Sequence, residues 1–74
     1  MSKKTLGEIR VRTEFNPSAE DAVSHIKNKT AELIDLVDRC PSTDLEVRRL
    51  IALALTSYEE AAMWAVKAVT AKEQ

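Results

Sequence analysis

Arg39-Cys40-Pro41-Ser42 decides how this chain folds. Proline has no backbone N–H, and its ring disfavours helical backbone at the residue before it, so a helix arriving at Cys40 must stop there. Residues with helical periodicity lie on both sides, and a connection this short leaves two helices as antiparallel neighbours. Ser42 or Thr43 is placed to cap the second helix. Asp44 and Glu46 then fall in its first turn, where acidic side chains meet the positive end of the helix dipole.

Upstream of the turn, Asn16-Pro17-Ser18 reads as a helix start, because proline suits the first turn and Asn or Ser can cap it. The first helix is expected from about Ser18 to Asp38. Its apolar stripe is Ala19, Ala22, Val23, Ile26, Leu33, Ile34 and Val37, with Thr30 in the middle where an apolar residue would be expected. Downstream, a second helix is expected from about Thr43 to Ala71, a stretch without Gly or Pro. Its stripe is Val47, Ile51, Ala54, Tyr58, Ala61, Ala65 and Val69. Leu55, Ala62 and Val66 widen it on one side, and Leu50, Leu53, Trp64 and Ala68 on the other. That arc covers roughly 200°, about twice what a surface helix needs to face one core. The second helix also outruns the first by about eight residues, or ~12 Å. The overhang needs a cover, either the segment around Phe15 or another subunit. The expected fold is therefore all-α: an antiparallel two-helix hairpin over residues 15–74 with a short N-terminal arm over residues 1–14, assembling into a homo-oligomeric helical bundle.

Size points to assembly as well. A chain of 74 residues seldom draws more than ~3–5 kcal/mol from its own core and usually needs a disulfide, a metal or oligomerisation. Cys40 is the only cysteine and His25 the only histidine, so one copy can form neither a disulfide nor a Cys/His zinc set. The arm carries Lys3, Lys4, Arg10 and Arg12 against Glu8 and Glu14. Ile9, Val11, Thr13 and Phe15 alternate with Glu8, Arg10, Arg12 and Glu14, a period-two pattern that predicts a short extended segment. Residues 1–7 read as a flexible tail.

The net charge of −1, from 11 basic and 12 acidic residues, argues against a protein that coats DNA or RNA. The arm itself is net positive and could meet a small anion. Polar residues begin at Ser2 and no run of ~18 apolar residues exists, so neither a secretory leader nor a membrane span is expected. Catalysis is expected to be absent. His25 falls off the core stripe, Cys40 lies in the turn, and Glu59 and Glu60 diverge by ~100° on a helix. No catalytic residue, metal ligand or cofactor is assigned.

A small anion pocket reads better. Lys27 and Lys29 flank the first-helix stripe on opposite sides, so symmetry-related copies could bring them together around one ligand. Thr30 lies between them and could donate its hydroxyl. Phe15 precedes the helix and could stack on a base. The alternatives are structural: Thr30 bonding back to the carbonyl of Ile26, solvated lysines, and Phe15 as a hydrophobic staple.

Glu59-Glu60-Ala61-Ala62-Met63-Trp64-Ala65-Val66-Lys67-Ala68-Val69, preceded by Leu55-Thr56, resembles the C-terminal helix signature of the phage anti-CBASS cyclic-oligonucleotide sponges. Their helical hairpin is shared with the phage sponges that block Thoeris signalling. Phe15-Asn16-Pro17 is similar to the family's aromatic-x-Pro lead-in, and the turn ending in Cys40-Pro41 is similar too. The resemblance spans residues from about 13 to 71. It implies a homohexamer in the cytoplasm of the infected bacterium. Such a hexamer binds cyclic dinucleotides such as cyclic GMP-AMP without cleaving them, and some members also hold cyclic trinucleotides. Sequestration keeps the antiphage effector silent. By the same resemblance Phe15 takes the base-stacking place beside Pro17, and Lys27 or Lys29 the phosphate-binding place, with Thr30 nearby. Ser57 and Tyr58 depart from the basic-plus-leucine pair of the family motif, and Phe15 stands in place of tyrosine. The competing expectation is a small helical interaction protein that docks on a phage or host partner through the second helix.

Overall fold

The structure, a computed structural model, describes residues 3–14 and 21–71. They form three helices, α1 (Leu6–Val11), α2 (Asp21–Asp38) and α3 (Leu45–Thr70), with no strand among the described residues. The α2–α3 pair is the expected hairpin. At its turn the Arg39 amide donates to the Asp35 carbonyl at 3.1 Å and the Cys40 amide to the Val37 carbonyl at 3.1 Å, closing α2 before Pro41.

The cap of α3 differs from the sequence expectation. Asp44, not Ser42 or Thr43, is the N-cap, and its Oδ1 accepts from the Val47 amide at 3.0 Å. Ser42 Oγ accepts instead from the Asp44 amide at 3.1 Å. A carboxylate gains from the helix dipole as well as the hydrogen bond, which favours it over a hydroxyl here. The helix accordingly starts at Leu45 rather than Thr43.

Alternation also misleads in the arm. Leu6–Val11 is a helix rather than an extended segment, because Thr5 and Glu8 form a capping box. The Glu8 amide donates to Thr5 Oγ1 at 3.1 Å, and the Thr5 amide to Glu8 Oε1 at 2.8 Å. Six residues cannot sustain a helix in water alone, so α1 depends on α2. Gly7 lies directly on α2: a Cβ placed there would fall on the carbonyl of Ala31 and 2.8 Å from the Ala31 Cα. The Gly7 amide, one of the unpaired donors of the first turn, gives its hydrogen to Asp35 Oδ1 at 2.8 Å.

The core is small. Ile34 and Val23 are fully enclosed, and Val11, Ala31, Ile51, Leu55 and Ala62 are buried. Val11 joins Leu55 and Ala62 in one apolar cluster, so α1 covers part of the α3 overhang. The molecule measures 48 × 34 × 12 Å. The short dimension is about the diameter of one helix with its side chains, so the three helices form a single layer where stable domains have two. Large apolar side chains therefore stay in solvent: Leu33 and Leu36 on α2, Leu50, Leu53, Met63 and Trp64 on α3. Leu33 and Ala22, expected inside, are exposed. On α3 the Leu55–Ala62 side faces the core, while the Leu50–Trp64 side does not.

Candidate ligand-binding site

Along α2 the buried line runs Val23, Lys27, Ala31, Ile34, and a lysine sits in it. Lys27 is only 8% exposed, which is unusual, since lysines are rarely buried without a partner. Its Nζ donates to the Arg12 carbonyl oxygen at 3.1 Å. Arg12 is the left-handed C-cap of α1, with φ 56°. The ammonium thus meets the negative end of a short helix and one of its last carbonyls. Burial, followed by the repulsion of the Arg12 guanidinium, lowers the Lys27 pKa from its ordinary 10.5. Desolvation and a like charge therefore outweigh what favours the charged form.

Lys27 opens onto a cavity of about 360 Å³ between α1 and α3. Arg10 and Arg12 supply two more cations on the α1 side. Ala62, Met63 and Val66 give an apolar wall on α3, Val11 adds an apolar side chain from α1, and Glu59 is the one carboxylate lining it among the described residues. Ligand pockets span roughly 300–1,000 Å³, so this space suits one nucleotide-sized unit. Three cations beside an apolar wall can neutralise a phosphate and seat a flat base. Its burial at the edge of a cavity makes Lys27 a candidate functional residue.

The other sequence-derived candidates fall elsewhere. Lys29 is exposed and does not line the cavity of its own chain. The Thr30 hydroxyl donates to the Ile26 carbonyl at 2.7 Å, the structural alternative raised for it. Phe15 and Pro17 lie outside the described residues. Arg10 and Arg12 were not assigned to a site by sequence, although the positive balance of the first fourteen residues carries them, and Glu59 figured only as half of an adjacent acidic pair and as the start of the α3 signature. His25 and Cys40 are both exposed. Among the described residues no group of three or more His, Cys, Asp or Glu side chains could hold a metal, and no helix is long and apolar enough to cross a membrane.

Compared with known proteins, residues 6–70 match a family model described as "Acb2/Tad1, hairpin domain". Its bounds coincide with the first residue of α1 and the last of α3. No curated protein and no solved structure matches the chain significantly.

Proposed function

This chain belongs to the Acb2/Tad1 hairpin-domain family of anti-CBASS and anti-Thoeris sponges, and from that membership we propose that it sequesters cyclic dinucleotide messengers, without cleaving them, to block CBASS antiphage signalling. The observation that carries the reading is the buried Lys27 opening, with Arg10 and Arg12, onto a nucleotide-sized cavity with an apolar wall. The cations take the phosphates and the wall of Ala62, Met63 and Val66 takes a base. By the family resemblance Phe15, two positions before Pro17 in the sequence, supplies the stacking ring. The cavity holds half of a cyclic dinucleotide, and a cyclic dinucleotide is nearly two-fold symmetric, so a second copy across a two-fold axis completes the site. In that assembly Lys29 and Thr30, which do not line the cavity of their own chain, serve a neighbouring copy. A homohexamer is the assembly we infer, working in the cytoplasm of the infected bacterium. Cyclic trinucleotides are a second ligand class for the same particle.

The single-layer shape supports association, since Leu50, Leu53 and Trp64 form an apolar flank that one copy leaves bare. The same flank is what favours the second reading, docking on a phage or host protein. Incubation with a panel of cyclic oligonucleotides, removal of free ligand, and release by heat or protease tests the proposal. Intact cyclic dinucleotide in the released fraction is expected. No retention would overturn the sponge and leave the docking protein, and linear products would make the chain an enzyme. Phe15→Ala should weaken retention while leaving the particle mass unchanged.

A further inference from the structure

We propose that Glu59 makes this cavity selective for guanine, a reading that rests on the ligand assignment above. A carboxylate is out of place in a pocket that collects anions, since it repels phosphate and offsets the cations placed there. Its position gives it another use. Glu59, Ala62, Met63 and Val66 lie at i, i+3, i+4 and i+7 and line the cavity together, so they share one face of α3. A base lying flat on Ala62, Met63 and Val66 turns an edge towards the half-buried Glu59. Guanine offers two neighbouring donors on its pairing edge, the ring N1–H and the exocyclic amino group. Two carboxylate oxygens accept both at once, as they accept the two parallel N–H groups of a guanidinium. Adenine presents a donor and an acceptor on that edge, and the acceptor lone pair faces the carboxylate. A site built around such a hydrogen bond discriminates strongly against the analogue that lacks the donor. Lys27, Arg10 and Arg12, which line the same cavity, take the phosphates.

Calorimetry with cyclic di-GMP and cyclic di-AMP tests this on the intact chain, comparing wild type, Glu59→Gln and Glu60→Gln. Glu60 is exposed and does not line the cavity, so it serves as the control, and far-UV circular dichroism checks that each variant folds. Wild type should bind cyclic di-GMP at least about tenfold more tightly than cyclic di-AMP, the discrimination expected of one good bidentate base contact. Glu59→Gln, whose amide suits adenine, should shift the ratio towards cyclic di-AMP by a similar factor, and Glu60→Gln should not. A ratio unchanged by Glu59→Gln would overturn the assignment. So would equal strengthening of both ligands, which would make Glu59 a charge-balancing group. Failure of wild type to bind either ligand would overturn the sponge reading itself, an outcome distinct from the other two.

Discussion

Lys27 Nζ and the Arg12 carbonyl oxygen stand 3.1 Å apart, and this bond joins the fold to the candidate site. It holds the end of α1 on α2 and aims a desolvated ammonium at the cavity. A phosphate that enters offers Nζ a charged acceptor in addition to the Arg12 carbonyl.

Lys27→Met should therefore weaken cyclic dinucleotide binding by about tenfold to a hundredfold, the worth of one charged hydrogen bond of ~1.5–3 kcal/mol. The helical circular dichroism spectrum should persist, because Met fills the same volume. Calorimetry on the two proteins at one salt concentration checks it, and equal affinity would remove Lys27 from the site.

Binding should also depend on pH in a defined direction. The free-protein pKa of Lys27 lies below 10.5, and a bound phosphate raises it again by favouring the charged form. A proton is then taken up on binding, and affinity falls as pH rises through the free-protein value. Titrations in two buffers of different ionisation enthalpy read that proton. The same shift acts on stability. The folded chain binds fewer protons than the unfolded chain between the lowered pKa and 10.5, so stability rises with pH across that window. Denaturation midpoints followed from neutral pH to 10.5 should climb in wild type and lose that climb in Lys27→Met.

Gly7→Ala should cost about 1–3 kcal/mol, the usual penalty of a methyl forced into a filled contact. For a chain of this size each kcal/mol lowers Tm by roughly 4–8 °C. The clash is with backbone atoms of Ala31, so Ala31→Gly should not rescue it. Thermal melts of the single and double variants decide the point. Rescue would mean that α1 rests on the Ala31 side chain instead.

Leu53→Glu with Trp64→Glu should disperse the proposed homo-oligomer. The two side chains are 53% and 62% exposed in one copy, and burying each between copies is worth about 2 kcal/mol or more. Light scattering should give a mass several times that of one chain for wild type and a marked drop for the variant. An unchanged mass would place the interface elsewhere.

The hairpin is legible in the sequence because its signals are local: a proline after Cys40, acidic residues after Ser42 and two long periodic stretches. α1 escapes for a competing reason. Its Thr5-Leu6-Gly7-Glu8 capping box is present, but the alternation of Ile9, Val11 and Thr13 suggests strand, and only the contact with α2 settles the matter. Gly7 reads as a sign of a loose arm, whereas it is the point of closest approach between helices. Lys27 is missed as an interior residue because a stripe drawn from apolar residues alone passes through Ile26 and leaves the lysine on its flank. Its burial depends on the end of α1, which lies fifteen residues earlier in the chain. For Lys29 the helical wheel reads correctly, since it sets Lys29 on the other side of α2 from Lys27 and Lys29 does not line the cavity of its own chain, while the Thr30 hydroxyl takes the back-bond to Ile26 raised as its alternative.

The two-ended seating of α1 has a consequence for how this chain can change over generations. Asp35 holds its beginning through Gly7 and Lys27 holds its end through Arg12. One residue inserted between those points would lengthen the helix by ~1.5 Å and rotate one end against the other by ~100°. Val11 would swing off Leu55 and Ala62, and the Arg12 carbonyl would leave Lys27. Point substitutions at exposed Ile9 are cheap by comparison. Between Gly7 and Arg12 the chain is thus fixed in length and at Gly7 and Val11, with freedom to vary at exposed positions such as Ile9, and drift in this lineage should place its insertions and deletions before Thr5 or after Thr13.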